Sequence, residues 1–197
     1  SKSLPFKNRK LFKYTAEIIP ECRKATTYVF SDDEIVNDFG HVYGFNVLYR
    51  DPKSAQDGST TKDLMEDFCS NFDNNETIVM LYLTYPGRTW EDVERAIKIF
   101  QENSLRSLLC QKEVKQTPYL MMYELPDNRG EQIIQHNFSR RQDYRKCFEI
   151  SHYLSIIRLK ELPRLNNDLY NEDTYFMEIA KTLDVDTQED MECILKS

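Results

Sequence analysis

The sequence predicts an α/β fold in which a mostly parallel sheet is flanked by helices. Short apolar runs suited to strands alternate with windows of helical periodicity through the first half of the chain. The run at 77–83 is almost continuously apolar, as expected for a strand covered on both faces. Strand and helix in alternation imply right-handed crossovers, and these favour parallel strands.

The elements before this run follow from local composition. β-Branched and aromatic residues at 26–30 and at 45–49 predict two strands. The Ser-Asp-Asp-Glu segment at 31–34 is typical of a helix start, so we expect a helix between them. Residues 59–72 place their apolar side chains on one helical face, which predicts a further helix before the apolar run.

The clearest helix begins at Thr89. The Thr89 hydroxyl can cap it, and Asp92 stands three residues later, as in a capping box. The apolar residues of this helix recur at helical spacing: Trp90, Val93, Ile97 and Phe100. Residues 107–114 are the next predicted strand.

The pattern changes at residue 118. Strand-like pieces at 119–125 and 148–157 flank a polar stretch at 126–145. We interpret residues 118–148 as a small antiparallel extension of one domain that spans residues 1–197. Such an extension has too little core of its own, so we expect it to bury its apolar face in a homodimer.

Composition excludes several classes of function. A net charge of −7 argues against a general nucleic-acid surface, and the absence of an apolar run of about 18 residues argues against a membrane span. The five cysteines are scattered and include no CxxC pair, so neither a zinc site nor a disulfide framework is expected. We expect buried, reduced thiols in a cytoplasmic protein.

The first candidate functional segment is SKSLPFKN at residues 1–8. As a loop it would offer backbone N–H groups and the Lys2 ammonium to a triphosphate, although a solvated basic terminus has the same composition. No strand precedes this segment in the sequence. Because a parallel sheet needs a central strand leading into such a loop, we expect a hydrophobic strand of roughly six residues upstream.

Two further segments follow predicted strands or open predicted helices. Ser59 lies just before a helix, where it can hold a ribose or phosphate or act as an ordinary cap. The segment at 81–89 carries Tyr82 and Thr84 and follows a buried strand. Ligands of open α/β sheets bind beyond the carboxyl ends of strands, although a plain turn is an equal alternative.

The last two segments carry charge. Asp184 and Asp186 stand at i and i+2 of an extended segment, so both carboxylates can reach one hard cation such as Mg²⁺. The alternative is a capping aspartate beside a surface aspartate. At 139–143, two guanidiniums and the Gln142 amide form a fork suited to a carboxylate, or a solvated loop.

Taken in order, these segments resemble the acylneuraminate cytidylyltransferase (CMP-sialic acid synthetase) family. The family phosphate loop RxxSKGxPxKN is matched from residue 1 by SKSLPFKN, and its RRQD segment stands at 140–143. Its closing DIDTPEDL pattern appears at 184–191 as DVDTQEDM. Its strand-end motif LLQPTSPLRT is matched at five positions: Leu81, Thr84, Pro86, Arg88 and Thr89.

The resemblance implies a Rossmann-like nucleotidyltransferase fold whose antiparallel extension mediates dimerisation. It implies a Mg²⁺-dependent transfer of CMP from CTP to a 2-keto acid sugar, with release of pyrophosphate. The implied catalytic residues are Lys2, Asp184 and Asp186, the last two as metal ligands. The implied nucleotide-binding residues are Ser1, Lys2, Asn8 and Ser59, and the implied sugar-binding residues are Tyr82, Thr84, Arg141 and Gln142.

Two departures separate this chain from the family pattern. The glutamine of LLQPTS is Tyr82 here, and the NGAIYI segment after RRQD is replaced by SHYLSI at 151–156. The metal and phosphate signatures are therefore better preserved than the sugar signature. Two alternatives follow: a related nucleotidyltransferase with another sugar acceptor or another base, or a non-catalytic member that serves in binding or assembly.

Overall fold

The computed structural model describes residues 4–50, 58–114, 116–180, 184–185 and 190, with side chains from residue 11 onward. The α-helices in these residues are α1 (Leu4–Ile18), α2 (Glu34–Val42), α3 (Thr61–Cys69) and α4 (Trp90–Glu102). The strands are β1 (Tyr28–Ser31), β2 (Asn46–Tyr49), β3 (Thr77–Met80), β4 (Ser107–Glu113), β5 (Met122–Leu125), β6 (Arg129–Gln132), β7 (Phe148–Arg158) and β8 (Tyr175–Glu178).

These strands form two sheets and a hairpin. β1 and β2 are parallel and are connected through α2. The larger sheet has the order β3-β7-β4-β8, in which β7 runs antiparallel to both β3 and β4, and β8 runs parallel to β4. Three of its four strands therefore share one direction. β5 and β6 form an antiparallel hairpin within the extension.

Helices cover both faces of the larger sheet. On one face, Leu154 and Ile156 of β7 pack in a core with Val93 of α4. On the other face, Ile157 of β7 packs with Met65 of α3. From Leu154 to Ile157 this alternation is the period of two that a strand buried on both faces requires, whereas Tyr153 shares the core of Leu154 where the register with β4 shifts.

The same helix layers continue over the smaller sheet. Val29 of β1 packs in a core with Phe12 of α1 and Val36 of α2. Its neighbours Tyr28 and Phe30 instead approach Phe68 of α3, with ring centroids 6.1 and 5.4 Å apart. The two sheets therefore lie in one layer between shared helices.

Side chains cap three of the helices, and at α3 the cap is Thr60 rather than Ser59. Thr60 and Asp63 form a reciprocal capping box at α3, and Asp33 accepts backbone hydrogen bonds at the start of α2. Thr89 caps α4, and Asp92 donates its backbone N–H to the Thr89 hydroxyl at 3.2 Å. Such caps each contribute about 1 kcal/mol.

Two expectations need correction. Residues 4–8 are predicted as a loop but form the first turn of α1, because a proline is tolerated there and the apolar face of Phe12 and Ala16 continues one helix. Cys22 is exposed rather than buried, whereas Cys110 is buried as expected. Within the described residues, the structure contains no helix with the length and apolar character of a bilayer span.

Candidate functional site

Two predicted site segments meet beyond the carboxyl end of β3. β3 ends at Met80, and the chain then turns through residues 81–88 before α4 begins. The Val185 backbone N–H donates to the Thr84 carbonyl at 2.9 Å. Since Asp184 is the residue before Val185, this bond brings Thr84 and Asp184 into one place.

Apolar packing holds this junction against α1. Val185 is fully buried and shares a small core with Leu11 of α1 and Leu83 of the turn. Asn8 lies three residues before Leu11, which is about one turn along the same helix. The site therefore gathers the turn after β3, the segment after β8 and the first half of α1. Ser1 and Lys2 lie outside the described residues, and the Asn8 side chain is not described.

Asp184 has a carboxylate oxygen suited to a cation. Its Oδ1 atom is buried and has no hydrogen-bond partner among the described residues. Buried carboxylate oxygens are normally paired, and a hard cation is one kind of partner that suits such an atom. Asp186 lies outside the described residues. The described residues contain no cluster of three or more metal-ligating side chains, but Mg²⁺ commonly takes one or two carboxylates, with water and phosphate completing its shell.

Arg88 fixes the shape of the turn. Its side chain is only 3% exposed, and its Nη2 atom donates to the Tyr82 carbonyl at 2.5 Å. The guanidinium also lies 5.2 Å from the centroid of the Tyr153 ring, within cation–π range. Burial lowers the pKa of Arg88 to about 10, so it remains charged at neutral pH. Arg88 therefore positions the backbone that presents Tyr82 and Thr84.

A hydrogen-bonded network between the start of α4 and β7 supports the turn. The Tyr153 hydroxyl donates to Asp92 Oδ2 at 2.7 Å, and the Thr89 hydroxyl donates to the same oxygen at 3.1 Å. Burial, followed by the bond to Asp92, raises the pKa of Tyr153. This network links the start of α4 to β7. Sequence reasoning assigned Tyr153 no role, since it stands among other polar residues of β7 and no local pattern distinguishes it.

Tyr82 turns its side chain into the protein. Its hydroxyl is buried, its ring centroid lies 5.1 Å from that of His152, and burial raises its pKa to about 12. Ser59 is exposed and lies two residues before Thr61. Tyr82 therefore packs beside His152 of β7, and Ser59 lies just before α3.

Arg141 and Gln142 lie elsewhere in the described fold. Both are exposed on a short 3₁₀ helix, and Arg141 lines a separate cavity of about 650 Å³ with Tyr144. The neighbouring Arg140 is paired with Asp143 through two hydrogen bonds of 3.2 Å. No contact among the described residues joins Arg141 or Gln142 to Asp184.

The extension nevertheless projects from the same end of the larger sheet as the site, the end at which β3, β4 and β8 terminate. It leaves β4 after Glu113 and returns at Phe148, and these two residues pair across the strands. The carboxyl ends of β3, β4 and β8 lie at this edge because the three strands share one direction. Arg141, Gln142 and the junction at Asp184 therefore lie towards the same end of the sheet.

Known proteins are similar to this chain in sequence and in fold. No family model matches the chain. An N-acylneuraminate cytidylyltransferase of Streptococcus agalactiae serotype V is 25% identical over 170 residues, which cover 85% of this chain and 41% of that protein. The post-translational flagellin modification protein B of Campylobacter coli is 23% identical, over 95% of this chain and 78% of that protein. The chain thus spans about two fifths of the length of the first relative.

A solved structure extends the likeness to three dimensions. The CMP:2-keto-3-deoxy-manno-octonic acid synthetase complexed with CTP superposes with a TM-score of 0.61 at 13% identity, covering 93% of this chain and 85% of that one. The α/β fold with its mixed sheet is therefore a nucleotidyltransferase fold, as the family resemblance implied. By sequence the chain is similar to an N-acylneuraminate cytidylyltransferase and to flagellin modification protein B, and its fold is similar to that of the synthetase complexed with CTP.

Proposed function

We propose that this chain carries a cytidylyltransferase that transfers CMP from CTP to a 2-keto acid sugar. The observation that carries the proposal is the junction where the Val185 N–H bonds to Thr84 and where the buried Asp184 Oδ1 has no hydrogen-bond partner among the described residues. The names of the relatives and the CTP bound by the structural neighbour support the choice of nucleotide and of acceptor class.

The proposed reaction is a phosphoryl substitution. The anomeric hydroxyl oxygen of the sugar forms a bond to the α-phosphorus of CTP, the bond from that phosphorus to the bridging oxygen breaks, and pyrophosphate leaves. The hydroxyl proton is released to solvent. Because little covalent chemistry falls to the protein, its residues act mainly by positioning the reactants and neutralising charge.

Each proposed role is assigned to a named group. Ser1 and Lys2 hold the triphosphate, while Asn8 and Ser59 bind the nucleotide. Asp184 and Asp186 are the residues that would hold Mg²⁺, which when bound supplies neutralisation of charge on the departing pyrophosphate. Sugar binding falls to Tyr82, Thr84, Arg141 and Gln142. Arg88 acts through the turn and is a positioning residue.

Tyr82 favours an acceptor other than the usual sialic acid. The family pattern has a glutamine here, whereas this chain has an aromatic side chain whose hydroxyl is buried beside His152. Its ring can pack against a sugar but does not present an exposed amide. We therefore expect an acceptor whose side chain or ring substituents need less hydrogen bonding at this position.

The direct test is pyrophosphate release from CTP, with Mg²⁺ and a panel of 2-keto sugar acids. We expect release with at least one acid and none without acceptor, and much less when GTP or ATP replaces CTP. Release from another nucleotide in place of CTP would instead support a nucleotidyltransferase that uses a different base. If no acid and no nucleotide gives release while CTP still binds, the non-catalytic binding function replaces this proposal.

The proposal includes a homodimer formed through the extension. Several large apolar side chains are exposed there, including Met122 and Tyr123, although the segment has an ordered aromatic cluster in which Tyr119 and Tyr144 stack at 5.0 Å. An ordered segment with an exposed apolar surface suits a partner surface of the same kind.

Light scattering at micromolar concentration tests the dimer. We expect twice the monomer mass for the unchanged chain and a monomer for the double variant Met122→Asp with Tyr123→Asp. Val42→Asp is the matched control, since Val42 is also exposed but lies on α2. A monomer mass for the unchanged chain, or for the control alone, contradicts the proposed interface.

A further inference from the structure

β7 carries a bulge close to the candidate site. Leu109 of β4 pairs with Ser155 of β7, but the next residue of β4, Cys110, pairs with Ser151. Residues 152–154 therefore have no partner of their own on β4. Bulges bend a strand and re-aim its side chains, and they are over-represented next to active sites. The side chains of these three residues are thus free of the strict alternation of a regular strand.

The bulge lies beside the turn that follows β3. The last residue of β3, Met80, pairs with Ser155, so the bulge begins where the pairing of β3 with β7 ends. The chain leaves β3 at the same level and enters the turn that carries Tyr82 and Thr84. The bulged part of β7 therefore borders this turn.

The three bulged side chains do not share one environment. Tyr153 and Leu154 are at most 1% exposed and lie in the core under α4. His152 is only half-buried, and its ring lies against that of Tyr82, with the centroids 5.1 Å apart and the planes inclined by 41°. The Tyr82 hydroxyl is buried, so the tyrosine offers its ring rather than its hydroxyl to a ligand. His152 is thus the bulged residue that stands outside the core, beside the turn.

The hydrogen bonds of the fold do not explain the His152 imidazole. Its Nδ1 atom is buried and has no partner among the described residues. A buried N–H group without a partner is rarer than an unpaired acceptor, so the proton of the neutral ring belongs on Nε2. Because Nδ1 is enclosed, the exposed area of His152 lies on the rest of the residue. The ring then has one N–H donor, at Nε2, for a group outside the fold.

Two departures from the family pattern meet at this contact. Where the family reads LLQPTS, the glutamine is Tyr82 here, and where it reads NGAIYI, the glycine is His152. The first change removes an amide, and the second adds an N–H group in a residue whose ring touches Tyr82. The hydrogen-bonding group lost from the turn is therefore replaced by one from β7.

We propose that His152 is a specificity-determining residue that binds the acceptor sugar. Its Nε2–H donates to an uncharged oxygen of the sugar, either a hydroxyl or the carbonyl of an acylamino group, while the Tyr82 ring packs against the C–H face. The carboxylate of the sugar is better matched by a guanidinium such as that of Arg141. The inference rests on the proposed function, because that function places an acceptor at this turn, but it gives His152 no part in phosphoryl transfer.

The binding test does not require turnover. The chain has three histidines, so each imidazole can be followed by NMR, and His152→Ala identifies the signal of His152. A panel of 2-keto sugar acids is added with CTP present and Mg²⁺ omitted. We expect at least one acid to shift the His152 signal in a saturable way. His41, which is exposed on α2, is the internal control and should not shift.

Steady-state kinetics test the same contact through the acceptor. A hydrogen bond contributes up to about a tenfold change in affinity, so His152→Ala should raise the KM of the acceptor several-fold. The KM of CTP and the Tm should stay unchanged. His152→Gln keeps an N–H donor and should recover part of the loss, whereas His41→Ala should match the unchanged chain. Acceptors that lack one hydroxyl or the acylamino group identify the oxygen, because its removal abolishes the effect of His152→Ala.

The outcomes separate this inference from the proposed function. Pyrophosphate release with an acid that leaves the His152 signal unmoved overturns the inference and leaves the function standing. A shifted signal without release supports acceptor binding by His152 and contradicts catalysis. Neither shift nor release contradicts both. A lower Tm in His152→Ala, or an equal rise in KM for CTP and acceptor, would make the role of His152 structural and also overturn the inference.

Discussion

The central strands of the larger sheet and the strands of the smaller sheet are built from similar residues but are buried very differently. Leu109 of β4 and Leu154 of β7 are each 0% exposed. In β1 only Val29 is buried, and in β2 no residue is fully buried. Among the described strands, β4 and β7 have a neighbour on both edges, whereas β1 and β2 each have one. A strand's burial therefore depends on its neighbours as much as on its own apolar character.

β3 is covered by helices on both faces, but among the described strands it has a hydrogen-bonded neighbour on only one edge. The sequence predicts a strand at 77–83 covered on both faces, yet the strand spans only residues 77–80 and its apolar residues are half-buried. Ile78 and Met80 pack on the side of α3, and Val79 packs on the side of α4, so both faces are covered. The remaining exposure lies on the side of β3 that has no hydrogen-bonded strand among the described residues, where residues 77–80 line a cavity of about 470 Å³.

The largest expected effect compares equivalent truncations in the two sheets. Leu154→Ala in β7 should lower the free energy of unfolding by about 2–5 kcal/mol, because a fully enclosed side chain leaves a cavity. Leu48→Ala in β2 removes the same atoms from a half-buried site and should cost about 1 kcal/mol. Urea unfolding measures both. Equal costs would contradict the contrast between the sheets.

A smaller effect on stability is expected at high pH from the buried Cys110, and the exposed Cys22 is its control. Burial raises the pKa of Cys110 in β4 from 9.0 to about 11. The unfolded thiol therefore loses its proton first, so stability is full below pH 9 and falls as the pH rises from 9 towards 11. Cys110→Ala should reduce the loss of stability between pH 8 and 10 by about 1 kcal/mol. Cys22→Ala, at an exposed position before β1, should leave the slope unchanged.

Both measurements need a reducing agent, so that disulfide formation does not enter. An identical pH slope in Cys110→Ala and in the unchanged chain would show that the β4 thiol is not enclosed as described. A changed slope in Cys22→Ala would place that thiol in the core and remove the contrast between the regions.

Much of the fold follows from the sequence because local signals and burial agree there. The capped start of α4 at Thr89 and the strand at 107–114, observed as Ser107–Glu113, were predictable from cap chemistry and periodicity. The helical state of residues 4–8 was not predictable. Ser-Lys-Ser and Pro are typical of a loop, and the apolar face of α1 is recognised only through its packing on α2. The order β3-β7-β4-β8 depends on contacts distant in the chain, which periodicity does not report.

The candidate site could be predicted from the sequence only in part. Thr84 and Asp184 were proposed from separate segments, and the bond between Val185 and Thr84 joins them. The buried role of Arg88 and the bond of Tyr153 to Asp92 were not predictable, since a sequence does not show which charged or polar side chains turn inward. Asp186, Ser1 and Lys2 lie outside the described residues, so their roles stay predictions.

The central claim is that the Asp184 carboxylate serves phosphoryl transfer, and one comparison of variants tests it most directly. Asp184→Asn preserves the shape of the side chain and removes its charge, so it should leave the Tm unchanged and lower CTP-dependent pyrophosphate release by about a hundredfold or more. Asp186→Asn should behave in the same way. Asp190→Asn, at a helical residue six positions after Asp184, is the matched control and should retain near-normal release. Full activity in Asp184→Asn, together with loss of activity in Asp190→Asn, would contradict the account.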